Sequence, residues 1–215
     1  MQRRLLVFTS CLGLAAVCGG LALRAQSDPA SLPARDSHQG VTIAVKPYVS
    51  EKSYQDQFGK RTPYEAGVLA LEVFFRNDND QPIRVNLGAI RLLVDRPGEP
   101  PQRLDALSAE EVADRVLLKA PSDPRRPRLP FPIGGRSGNS ARDKNWVELA
   151  SRLQAAGVKS DLLAPKSTLR GFLFFDINHH YDWLSGARLD VPGLAFMLNN
   201  QALFFFQVDL APALP

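Results

Sequence analysis

The chain has 215 residues, 26 Lys and Arg against 22 Asp and Glu, and a formal net charge of +4. The first 25 residues hold Arg3, Arg4 and Arg24 and no acid, so without them 23 basic residues face 22 acidic ones and the charge is +1. A near-neutral domain lacks the field that gathers polyanions, which argues against nucleic-acid binding.

The N-terminus reads as an export signal. Arg3 and Arg4 form a positive region, Leu5 to Val17 an apolar run, and Leu23-Arg24-Ala25 a small-residue exit. The run is short for a membrane span, which favours a secretory signal peptide over 1–25 with cleavage after Ala25. Two other outcomes stay open: lipidation at Cys18 through the poor lipobox Ala15-Ala16-Val17-Cys18, or retention of Leu5 to Leu23 as an anchor. Both cysteines, Cys11 and Cys18, lie in this segment, so the exported part has no thiol to form a disulfide. It must hold together by core burial, and roughly 175 residues can bury well over half of their unfolded surface.

Residues 26–40 (QSDPASLPARDSHQG) carry no periodic apolar pattern and are expected to form a disordered tether. A β-sandwich domain over 41–211 should follow. Val41, Ile43 and Val45 alternate with Thr42, Ala44 and Lys46, predicting a strand with one wet face. Residues 50–67 read as a long connection carrying Tyr54, Phe58 and Tyr64. Val68 to Arg76 is apolar at nearly every position, as a strand covered on both faces must be. Asn77 to Pro82 supplies turn chemistry, Ile83 to Leu87 and Ala89 to Asp95 give two more strands, and RPGEPP (96–101) ends the second.

A two-helix, Pro-rich insertion is expected over about 107–165. Ser108-Ala109-Glu110-Glu111 is a capping box that starts one helix. Asp143 to Ala156 is the second, with Trp146, Leu149, Leu153 and Ala156 as its inward stripe and Gly157 at its end. Between them lie five prolines from Pro121 to Pro132. Strands resume at Thr168 to Ile177, Ala187 to Val191 and Ala202 to Leu210, the last read as buried on both faces. The resulting fold class is mainly β, an immunoglobulin-like antiparallel sandwich of six or seven strands.

Chemistry is sparsely supplied. His179 and His180, with Asp176, Asn178 and Asp182, form the one loop (178–183) that suggests a metal-dependent hydrolase. Adjacent histidines on an extended chain point apart, however, and the remaining histidine, His38, falls in the expected tether. Gly134-Gly135-Arg136-Ser137-Gly138 lacks the residues of a phosphate loop or a nucleophile elbow and reads as a linker. Arg125, Arg126 and Arg128, followed by Phe131, form a basic, Pro-rich candidate interaction loop for a partner or anionic lipid heads. No cofactor, metal or catalytic set is expected.

The turn Asn77 to Ile83 after a hydrophobic strand, and Gly171 to Phe175 after a lead containing Pro165, resemble a group of exported bacterial proteins with a telokin-like, immunoglobulin-type sandwich. The resemblance implies a fold and carries no activity. The function read from the sequence is a non-catalytic extracytoplasmic module, periplasmic or secreted, for protein or envelope contacts. The alternatives are the hydrolase and an anchored envelope lipoprotein.

Overall fold

Ten residues, VLALEVFFRN, form β3 (Val68–Asn77), and β8 (Ser167–Asp176) pairs with it along its full length, Val68 opposite Asp176 and Asn77 opposite Ser167. The computed structural model describes residues 28–96, 98, 100–118 and 144–215. Each face of this pair meets a different layer. Leu69, Leu71, Val73 and Phe75 join Leu173 and Phe175 in an inner core, whereas Val68, Ala70, Phe172 and Phe174 pack outward against helices. Two apolar covers explain why the strands are hydrophobic without alternation.

The main sheet runs β1 (Ala34–His38), β2 (Val41–Tyr48), β3, β8, β6 (Gln102–Leu107), β5 (Arg91–Val94), β9 (Ala187–Val191) and β11 (Phe206–Asp209). Every neighbouring pair is antiparallel. Its two outer strands come back to each other: the His38 ring stacks on Phe206 at 3.8 Å, and Gln207 N donates to Asp36 Oδ2 at 3.0 Å. The sheet is thus curled almost into a barrel, with side chains bridging the seam. A second sheet, β10 (Ala195–Phe196), β4 (Ile83–Arg84) and β7 (Leu162–Leu163), lies where β3 ends and β8 begins, and Ile83 and Leu163 feed the inner core. Buried Asn77 ties this end together: Nδ2 donates to Gln81 O at 2.8 Å and to Ala164 O at 3.2 Å, and Oδ1 accepts from Asn79 N at 2.9 Å.

The mainly β, antiparallel expectation holds. The arrangement is one continuous eight-stranded sheet with a three-stranded companion, because β6 and β8 hydrogen-bond across what would be the gap between two layers. The two helices expected in the insertion pack on the sheet. Ser108 N donates to Glu111 Oε2 at 2.8 Å and Glu111 N to Ser108 Oγ at 3.2 Å, so the capping box forms and opens α2 (Ala109–Leu118). In α3 (Lys144–Ala156), Trp146, Leu149, Ala150 and Leu153 are buried, and Trp146 Nε1 donates to Asp114 Oδ1 of α2 at 2.7 Å. A further helix, α1 (Glu51–Phe58), occupies part of the expected long connection and buries Tyr54 and Phe58. Together the three helices cover the outer face of β3 and β8.

Two expectations change. The stretch 26–40, read as a disordered tether, contains a 3₁₀ turn (Pro29–Ser31) and β1 from Asp28 onward; residues 26 and 27 lie outside the described residues. Its polar composition hid the strand, which buries only Ala34 and is held by a hairpin whose turn residues Gln39 and Gly40 have φ of 51° and 71°. Ala202 to Leu210 is a strand only over Phe206–Asp209, and Phe204 and Phe205 face solvent. The Arg125, Arg126, Arg128 and Phe131 loop, the Gly134–Gly138 linker and the segment 1–27 lie outside the described residues.

Gly171 permits a tight crossing. A Cβ there would sit 2.5 Å from Val158 N, where Gly157 bridges Phe172 beside the open part of β8. Gly171→Ala is expected to lower stability by about 1–3 kcal/mol, read as a reduced urea midpoint with an unchanged m-value.

Candidate interaction surface

After β9 the chain turns at Pro192-Gly193, enters β10 beside β4, and reverses over residues 197–200. Phe196 N donates to Gln201 O at 2.9 Å and Leu203 N to Leu194 O at 2.8 Å, which closes a hairpin. Asn199 Oδ1 accepts from Gln201 N at 3.0 Å, and Asn200 takes φ 53°, a left-handed conformation that asparagine tolerates. Leu194 and Leu203 are buried at the foot of the hairpin. Its tip and exit carry Met197 (44% exposed), Leu198 (75%), Phe204 (73%) and Phe205 (61%). Scattered exposed apolar residues are ordinary, but here four large ones lie within 197–205, which makes this the candidate surface.

This hairpin belongs to one end of the barrel. Phe204 N donates to Gln39 Oε1 at 2.8 Å, and Met197 N to Pro82 O at 3.0 Å. Asn79 Nδ2 donates to Gln39 O at 3.0 Å and Gly40 O at 3.2 Å, so the turns after β1, after β3 and within 197–200 are gathered together. Charges around them are paired: Arg76 with Asp28 (3.2 Å) and Asp78 (2.9 Å), and Lys166 with Asp80 (3.1 Å). Arg84 Nη2 donates to Asn200 Oδ1 at 3.3 Å and lines an open hollow with Asn86, Gly88, Asp161 and Gly193.

The histidine loop is at the opposite end, roughly 30 Å away along β3. His179, at φ 65°, lies against Gly67, and His180 stacks on Trp183 at 4.2 Å. Asp176 pairs with Arg115 at 2.5 Å. These groups are engaged separately, and no set of three His, Cys, Asp or Glu residues converges among the described residues. On the outer sheet face Glu72 is buried, held by Arg170 Nε at 2.6 Å and by the Tyr48 hydroxyl at 3.3 Å. This joins β2, β3 and β8. Among the described residues no helix is long and apolar enough to cross a membrane.

No family model matches the chain, and no curated protein sequence matches it. Among solved structures it is similar to a "putative lipoprotein" of Bacillus subtilis, at 12% identity and a TM-score of 0.37, over 82% of this chain and 38% of that one. It is also similar to a functionally unknown protein of Listeria monocytogenes, at 13% identity and a TM-score of 0.34, over 74% of this chain and 68% of that one. The chain therefore spans well under half of the Bacillus protein.

Tyr54 anchors the helical cover at the far end. Its hydroxyl donates to Val68 O at 3.0 Å and accepts from Ala70 N at 2.8 Å, and burial, aided by the neighbouring Tyr181 and Tyr64 phenols, pushes its pKa far up. Below about pH 10 folded and unfolded chains both keep this proton; above it the unfolded chain ionises first, so stability falls as pH rises. Tyr54→Phe should cost about 1–3 kcal/mol at neutral pH by stranding two backbone groups. It should also flatten the alkaline loss of stability by about 1.4 kcal/mol per pH unit, measured by urea titration above pH 10.

Proposed function

We propose that this protein is a non-catalytic, extracytoplasmic interaction module of the cell envelope, and that it works through the apolar hairpin end at 197–205. The observation that carries the reading is the clustering of exposed Met197, Leu198, Phe204 and Phe205 within 197–205 at one end of the barrel, whereas the other large exposed apolar residues among those described are single ones, Val147 on α3 and Leu162 on β7. Exposing them costs solubility and contributes nothing to the core, which is the pattern of a contact surface. The export signal read from Arg3, Arg4 and Leu5 to Val17 supports a place outside the cytoplasm. Attachment through Cys18, or through a retained apolar run, is a second reading, favoured by the position of Asp28 at this same end. The hydrolase alternative has less support, since Asp176 is held in an ion pair with Arg115 and no three His, Cys, Asp or Glu residues converge among the described residues.

An immunoglobulin-like description of the fold is supported by its antiparallel strands and by the shared core of β2 and β3 with β5 and β9. The hydrogen-bonded continuity through β6 and the β1–β11 contact favour the curled barrel instead.

A photo-crosslinking amino acid in place of Leu198, in the full chain expressed in its own cells, tests the module reading. Adducts to envelope protein or lipid, well above those formed from position 65, are expected. Equal, background-level crosslinking at both positions sinks the reading.

A further inference from the structure

A run of contacts leads from the start of the described chain to the exposed aromatics. Asp28 is held by Arg76, and Arg76 also holds Asp78. Asp78 N donates to Gly40 O at 2.8 Å, and Gln39 accepts from Phe204 N. The chain therefore enters the barrel at the end that carries Leu198, Phe204 and Phe205. Immediately upstream in sequence lies the apolar stretch Leu5 to Leu23. Four residues separate Leu23 from Asp28, and the five Cα-to-Cα steps between them span at most about 18 Å.

We propose that the 197–205 end inserts its apolar side chains into the surface of a lipid bilayer, with the barrel standing on that end. This rests on the attachment reading above, in which the chain upstream of Asp28 stays in the membrane, and names what the module's apolar end then touches. While the upstream apolar stretch occupies a membrane, the short connection keeps this end, and not the histidine end, beside the bilayer. The shape agrees with that occupant. Leu198 is at the tip of a protruding hairpin and the two phenylalanines follow at its exit, so they penetrate a fluid phase without needing a matching groove. Arg76 and Lys166 are paired with carboxylates, and Arg84 is held by Asn200, so the surrounding charges are of both signs and the attraction is mainly apolar.

The test uses the full chain carrying Phe205→Trp on phosphatidylcholine vesicles with brominated acyl chains. Emission from the native Trp146 and Trp183 is subtracted using the unsubstituted chain. The added tryptophan should lose more than about half of its emission, at low and at high salt alike. A Glu65→Trp control at the opposite end should keep its emission. Leu198→Ser with Phe204→Ser in the Phe205→Trp background should remove the quenching while the chain still sediments with the vesicles. An unquenched Phe205→Trp on vesicle-bound protein, or equal quenching at both positions, overturns the bilayer assignment. If quenching is absent but the Leu198 crosslinker captures a protein partner or a second copy, the bilayer assignment fails and the module reading stands. If both are absent, both fail.

Discussion

A strand that is apolar on both sides cannot rest until two separate layers cover it, and the pairing of β3 with β8 imposes that demand on the whole chain. The inward side is answered by the curl of the sheet, which brings β5 and β9 over Leu71 and Phe175. The outward side is answered by α1, α2 and α3, whose Tyr54, Phe58, Val112, Leu149 and Leu153 lie over Ala70, Phe172 and Phe174. Such side chains contribute roughly 1.5–3 kcal/mol each when fully buried. Neither cover alone would suffice. The helices are therefore part of the fold's foundation, although in sequence they stand between strands.

The same demand explains what was legible beforehand. Long two-sided strands announce themselves by composition, so β3 and β8 were readable almost to the residue. The capping box of α2 and the stripe of α3 were readable because Ser108, Glu111, Trp146 and Leu149 sit at offsets that only a helix uses. Elements whose stabilisation comes from elsewhere were hidden. β1 has one buried apolar residue and depends on its hairpin. β6 has an alternation of Arg103 and Asp105 with Leu104 and Ala106, masked by the proline-rich segment before it. α1 had usable signals that a polar sequence obscured: Ser50, whose side chain accepts from Ser53 N, and the four-residue spacing of Tyr54 and Phe58.

The exposed apolar end was hidden for a related reason. Three consecutive phenylalanines look like core, and composition does not say which side of a barrel wall a ring is on. The warning sign lay in the spacing. Leu203 and Phe206 are both buried, yet three residues apart they cannot share one face of a regular strand. The backbone must step between them, and Phe204 and Phe205 are pushed outward by that step.

The side-chain closure between β1 and β11 bears on how the molecule responds to mechanical load. Tension transmitted through Asp28 would reach the edge strand with the least apolar grip. Past the Arg76 ion pair, it would meet the β1–β2 ladder beginning at the Ala34–Val45 rung. Rungs loaded one at a time yield at low force, whereas β3 and β8, paired over ten positions inside two covers, would share their load. The edge would thus act as a compliant fuse: a membrane-tethered chain could give several nanometres of slack before its interior felt the pull.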